Sequence, residues 1–192
     1  MALPPLDQYV AMDCETVLLR SGQALAKVGM VNHNGDILLE SFVFCHPQNV
    51  IDYVSVHSGI HPGDLDGAPT FEQIQPKIKA IIKDKILVGH AVFNDLAYIQ
   101  HRHPYESVRD TSLYIPLRQL VGVQREGEYP SLKKLAAKVL DQVIQAGEHD
   151  PVEDARATMA IFMSVREAFE ESLEKCEEVV SGIPASFERW YW

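Results

Sequence analysis

The chain has 192 residues, 46% hydrophobic and 23% charged, with 27 acidic against 17 basic side chains and a formal net charge of -10. That size and apolar content exclude a disordered chain and fit a single domain over residues 1–192, with its core at about 8–170 and a C-terminal helix and aromatic tail at 171–192. Non-specific nucleic-acid affinity comes from Lys and Arg neutralising phosphates, so this balance excludes a broad basic footprint and leaves a short single-stranded end as the nucleic acid the chain could hold.

The first ten residues, MALPPLDQYV, lack the basic start and apolar run of a signal peptide, and no stretch nears the ~18 apolar residues of a membrane span. The expectation is an intracellular protein, nuclear or cytoplasmic, with no membrane partner. Cys14, Cys45 and Cys176 are odd in number and contain no CxxC, which argues against a disulfide framework and a zinc site and suggests buried or inert thiols.

Residues 8–18, 24–32 and 36–45 are rich in Val, Ile, Leu and Phe and are separated at Ser21-Gly22 and Asn34-Gly35, which predicts a three-stranded antiparallel meander. Pro47 to Pro69 has no sustained period and is read as loop with one helical turn. Phe71, Ile74, Ile78 and Ile81 then recur at helical spacing behind Thr70, with Gln73 completing a capping box and Pro76 set to kink the helix or delay its start. Ile86 to Val88 reads as a buried strand, Val92 to Arg102 as a helix stopped by Pro104, Ser107 to Asp110 as a strand and Thr111 to Leu120 as a helix. A polar loop from Gly122 to Pro130 leads to a helix capped by Ser131.

The last long helix starts at Pro151, with Asp150 as cap and Glu153 reaching back, and buries Ala155, Met159, Phe162, Val165 and Phe169. Six glutamates from Glu167 to Glu178 read as a solvated face, and the aromatic end from Phe187 to Trp192 as packed back on the domain. A meander followed by helices alternating with two strands predicts an α/β fold, a mixed five-stranded sheet flanked by helices.

Asp13 and Glu15 leave one face of the first strand, an ordinary polar face by one reading and a costly pair on a central strand by the other. Asp95 in VGHAVFNDLAYI and Asp154 in GEHDPVEDARATMAIF each fit a helix start, and His149 alone is a loop histidine. Together the four acids fall at strand or helix ends that a central sheet brings to one edge. Oxygen ligands suit Mg2+ or Mn2+, and a two-metal site suits in-line attack on a phosphodiester, with His149 titrating in the range needed to take a proton from water. His90 fits a structural hydrogen bond, Asp110 a helix cap with Thr111, and Asp84, Asp141 and Asp150 surface or cap positions.

Asp13-Cys-Glu15, then Gly89-His90 with Asp95 shortly after, then His149 five residues before Asp154, resemble the three exonuclease motifs of the DEDDh branch of the DnaQ-like nucleases. RDTSLYIPL, SLKKLA, QAGEHDPVEDARATM and SGIHPGDLDGAPTFEQIQ look like the subgroup containing RNA exonuclease four and the interferon-stimulated exonuclease, over roughly residues 8–170. The resemblance implies an RNase H-like fold, two Mg2+ or Mn2+ ions on Asp13, Glu15, Asp95 and Asp154, His149 as general base, and release of 5'-mononucleotides from a single-stranded 3' end, of RNA more often than DNA. It points to Thr16, Val17, His57 and Asn94 for substrate contacts. Thr16 and Val17 stand where the subgroup has Met and Gly, and Val56 and His57 where relatives often carry a basic residue, so ribose recognition departs from the pattern. Arg102, Arg109, Arg118, Arg125, Lys133 and Lys134 are the candidates for a local basic path. The rival expectation is a catalytically silent nuclease-like domain that binds RNA or protein; a third is hydrolysis of another phosphate ester.

Overall fold

A computed structural model describes residues 3–125 and 127–192; Met1, Ala2 and Glu126, the last within the predicted polar loop, lie outside it. The meander forms as β1 (Tyr9–Leu19), β2 (Gly22–Asn32) and β3 (Ile37–Phe42), the third strand ending earlier than the predicted residue 45. Within the aperiodic segment a further strand, β4 (Val50–Asp52), pairs antiparallel with the far end of β1. β5 (Ile86–Gly89) lies parallel to β1 and β6 (Val108–Asp110) parallel to β5, giving the order β3-β2-β1-β5-β6. The sheet therefore has six strands, not five. β1 is 11 residues long and overruns β5, and three residues are too few for β4 to carry a readable alternation.

β1 is covered on both faces. Tyr9 and Ala11 pack with Leu135, Ala155, Phe162 and Phe169 on one side, while Val10 and Met12 pack with Ile74, Ile78, Phe93 and Leu96 on the other. Asp13 and Glu15 continue the first of these faces by the two-residue repeat of a strand. That face is covered by α6 (Pro151–Glu174), 24 residues long.

The helices follow the predicted order with differences at their ends. After a single turn, α1 (Ser55–Ser58), comes α2 (Phe71–Ile82), whose start is not delayed by Pro76; Gln73 accepts the Thr70 N–H at 2.9 Å and completes the capping box. α3 (Phe93–Tyr98) stops well before Arg102, because Gln100 turns left-handed at φ 50° and Gln75 Nε2 donates to the freed Ile99 carbonyl at 2.8 Å. α4 (Ile115–Leu120) begins four residues later than expected. Asp110 does not cap it: its carboxylate takes the N–H groups of Ser112, Ala91 and Val92, holding 111–114 in a turn and tying β6 to the entry of α3. α5 (Leu132–Leu135) continues into a π-helical turn, Ala136–Leu140.

At the start of α6, Asp150 Oδ1 accepts the N–H groups of Val152 and Glu153, both at 3.0 Å. Glu153 does not reach back as expected; it accepts the Gln145 N–H at 3.3 Å. Glu170 leaves the solvated face predicted for the six glutamates. It is 7% exposed, grips Arg109 with both oxygens at 2.8 Å, and accepts the Tyr9 hydroxyl at 2.9 Å. A buried pair in this two-bond geometry satisfies both charges. The aromatic tail does pack back: the Phe187 ring lies 5.0 Å from Phe93, and the His103 N–H donates to the Trp190 carbonyl at 2.9 Å. Cys14 is half-buried and Cys45 buried, but Cys176 is exposed. No described helix is long and apolar enough to cross a membrane.

α6 comes close to the sheet at Gly29, opposite Asp13 in the β1–β2 register. A Cβ there would meet the Pro151 carbonyl carbon at 2.5 Å and the Val152 nitrogen at 2.6 Å, both rigid backbone. Gly29→Ala therefore has to push α6 off the sheet, and urea unfolding should report a loss of about 1–3 kcal/mol. An unchanged midpoint would contradict this docking.

Candidate active site

Three elements bring the predicted acids together: β1 carries Asp13 and Glu15, α3 carries Asp95, and α6 carries Asp154. Glu15, His149 and Asp154 each offer a ligand atom within 4.8 Å of the others. His149 Nδ1 stands 3.9 Å from Glu15 Oε1 and 3.8 Å from Asp154 Oδ2, longer than a hydrogen bond. Asp13 and Asp95 adjoin this group electrostatically. Burial first, then the charges of Asp95, Asp154, Glu15 and Asp150, push the Asp13 carboxyl well above its usual range. Asp95, 5% exposed, is raised chiefly by burial, against a hydrogen bond from Cys14 that pulls the other way.

Glu15 is pushed up to about 8 by burial and the charges of Asp154 and Asp150, with Lys27 opposing. Asp154 rises to about 6, again by burial first, although the bond from Gln145 favours its charged form. Such shifts mark groups that repel and lack compensation, the situation a bound cation relieves. Asp154 Oδ1 is buried and has no hydrogen-bond partner among the described residues. An all-carboxylate set with one such orphaned oxygen fits hard divalent cations that prefer oxygen. His149 is held below its ordinary value by burial and by His57 and Lys133, which keeps its ring neutral at neutral pH.

The remaining predicted site residues separate. His57 is at the rim: its ring lies edge-on to His149, centroids 5.9 Å apart, and its carbonyl accepts the His149 N–H at 2.9 Å. Thr16 is half-buried at a bulge between Glu15 and Thr16. Val17 is 0% exposed in a core cluster with Ala26, Ile60 and Leu65, which leaves it no surface open to a substrate. Asn94 is half-buried and its amide donates to the Ala91 carbonyl at 3.1 Å. His90 makes the structural contacts expected of it, to Thr111 Oγ1 at 2.9 Å and the Pro130 carbonyl at 2.8 Å. The basic path loses Arg109, buried against Glu170, and Arg118, buried and bonded to Ser181 and the Arg125 carbonyl. Lys133, Lys134 and Arg125 stay exposed.

Two residues without an assigned role in the sequence support the cluster. Lys27 faces Glu15 across β1–β2 and pairs with both Asp150 and Glu40, joining the second strand to the cap of α6. Gln145 Nε2 donates to Asp154 Oδ2 at 2.7 Å. The hairpin pairs keep step from Leu19–Gly22 to Thr16–Leu25, and the bulge then skips Ala26, so only the bulge brings Lys27 opposite Glu15.

The exonuclease family model RNase_T matches residues 10–162. RNA exonuclease 4 of Candida glabrata is 42% identical over 173 residues, covering 88% of this chain and 64% of that protein. RNA exonuclease 4 of Saccharomyces cerevisiae is 40% identical over 168 residues, covering 86% of this chain and 57% of that protein. The chain thus spans somewhat more than half the length of these two relatives. Among solved structures, the Saccharomyces cerevisiae Pan2 pseudoubiquitin hydrolase-RNA exonuclease module in complex with A7 RNA aligns with a TM-score of 0.73 at 26% identity, over 90% of this chain and 31% of that one. The Neurospora crassa Pan2 catalytic unit aligns with a TM-score of 0.72 at 23% identity, over 94% of this chain and 31% of that one, a likeness of fold alone. The mixed sheet flanked by helices is the RNase H-like fold of these exonuclease neighbours. With the family match running from β1 into α6 and so containing all four carboxylates and His149, the chain belongs to the RNase_T exonuclease family.

Proposed function

We propose that this domain is a divalent-metal-dependent 3'-5' exonuclease that releases 5'-mononucleotides from single-stranded 3' ends, of RNA in preference to DNA. The observation that carries the reading is the convergence of Glu15, His149 and Asp154 within 4.8 Å beside Asp13 and Asp95. The RNA in the names of the relatives, and the RNA bound in the yeast Pan2 structure, support the choice of substrate.

Asp13, Glu15, Asp95 and Asp154 would hold two Mg2+ or Mn2+ ions. When bound, such ions lower the pKa of the attacking water and offset charge on the phosphoryl group and the leaving 3'-oxygen. His149, kept neutral chiefly by burial, accepts the proton of the water during attack. Its backbone is fixed by the bond to the His57 carbonyl, and Gly59 allows this approach: its φ is 63°, and a Cβ there would lie 2.7 Å from the His149 carbonyl oxygen. Thr16 and His57, at the bulge and the rim, are positioned for the terminal nucleotide, and Asn94 beside Asp95 adds a polar edge. With a net charge of -10, binding rests on a few local contacts, among them Lys133 and Lys134, so affinity is low and its salt dependence shallow.

Asp13→Asn and Asp154→Asn should each lower Mn2+-dependent loss of nucleotides from a 3'-labelled RNA by more than about a hundredfold, beyond the ~10–100-fold cost of losing an outer partner. His149→Ala should lower kcat by about 10²–10⁴-fold. Undiminished activity in these variants refutes the site, equal rates on matched RNA and DNA refute the preference, and inertness toward both favours a silent binding domain.

Stability should also respond to pH when chelator removes cations. Glu15 rises from 4.5 to about 8 on folding, so between these values the folded chain binds more protons than the unfolded one, and stability falls as pH rises. Asp154 acts in the same sense between 3.8 and about 6. His149, whose folded pKa is depressed, contributes in the opposite sense only below its ordinary 6.5. The melting temperature in EDTA should therefore fall from pH 6.5 to 8, and Mg2+ or Mn2+ should restore it; a flat profile in EDTA would contradict the uncompensated cluster.

A further inference from the structure

Gln145 lies in the segment between the π-helical turn and α6, four residues before His149, with φ at 51°. The left-handed region is unfavourable for a residue with a Cβ, so a glutamine there has to be held by its surroundings. Three bonds do so. Its carbonyl accepts Lys133 Nζ at 2.7 Å, its N–H donates to Glu153 Oε2 at 3.3 Å, and its side-chain Nε2 donates to Asp154 Oδ2 at 2.7 Å. Backbone and side chain are thus fixed from α5 and from the first turn of α6 together.

The consequence falls on Asp154. Its side chain is 3% exposed, so water cannot orient the carboxylate. One oxygen is taken by the Gln145 amide, a neutral donor that adds no charge to the cluster. The other, Oδ1, is buried with no partner among the described residues. A carboxylate pinned at one oxygen has its plane fixed, and the second oxygen then offers its lone pairs in one direction. Lys133 could not fill this role itself: an ammonium beside the cluster would compete with a cation, whereas here it is one residue removed and bonded to the Gln145 carbonyl.

We propose that Gln145 is a positioning residue that fixes the plane of the Asp154 carboxylate for a divalent cation. The inference rests on the reading of Asp154 as a cation ligand and adds the residue that orients it. It opposes a competing arrangement in which the amide blocks Oδ2 and hinders the cation; the two differ in the sign of the effect when the amide is removed. Outer partners of this kind change metal affinity by about 10–100-fold.

The test is titration calorimetry with Mn2+ and no substrate, on the unaltered chain and on Gln145→Met, which keeps the length of the side chain and removes the donor. The expected result, at a temperature where both chains are fully folded, is Mn2+ binding about tenfold weaker in the variant, a change that a merely structural role would not give. Equal or tighter binding in Gln145→Met, with the unaltered chain binding normally, overturns this inference and leaves the proposed function standing. Failure of the unaltered chain to bind Mn2+ overturns both. Should Gln145→Met not fold, Lys133→Met, which frees the glutamine's carbonyl and leaves its amide, decides: weaker Mn2+ binding is expected, and unchanged binding overturns the inference.

Discussion

Bringing Asp13, Glu15, Asp95 and Asp154 together works against folding, because each carboxylate loses water and each raises the pKa of its neighbours. The surrounding structure holds them there by fixing the three elements that carry them. α6 is tied at both ends: at its start through Gly29, the Asp150 cap and Lys27, and about five turns on through the Glu170 grip on Arg109. β6, which supplies Arg109, also supplies Asp110, whose carboxylate fixes the entry to α3 and so the position of Asp95. The polar groups that look incidental in the chain are therefore the ones that set the geometry of the acids.

The electrostatics also divide the labour between site and surface. The carboxylates are desolvated and repel one another, the condition that the proposed cations would relieve, while burial, ahead of its neighbours, lowers the His149 pKa and favours its neutral ring. Of the six basic residues that could line a path to the site, Arg109 and Arg118 are consumed in holding the fold. On the proposed function, substrate capture would then rest on the carboxylate site and a short rim, which suits a terminal nucleotide better than a long strand.

Much of this was legible in the residues themselves. The meander, the alternating strands and helices, the capped start of α6 and the spacing of Asp13, Glu15, Asp95, His149 and Asp154 all rest on local periodicity or short motifs. The structure brings Glu15, His149 and Asp154 together as that spacing suggested. What local pattern could not carry was register and long-range pairing. The bulge that sets Lys27 opposite Glu15 skips one residue, and nothing at Ala26 announces it. Glu170 sits among glutamates that are solvent-facing by composition, and only its partner 61 residues away distinguishes it. Gln145 follows a helical pattern that ends in a left-handed turn, so its contact with Asp154 depends on the loop's path, not on its type.

The central claim is that these four carboxylates are a binuclear cation site, and anomalous scattering from crystals grown with Mn2+ tests it most directly. The account predicts two Mn2+ peaks among Asp13, Glu15, Asp95 and Asp154, with His149 at the edge of the pair and outside the ligand set. No peak there at saturating Mn2+, or Mn2+ held elsewhere on the chain, would contradict it.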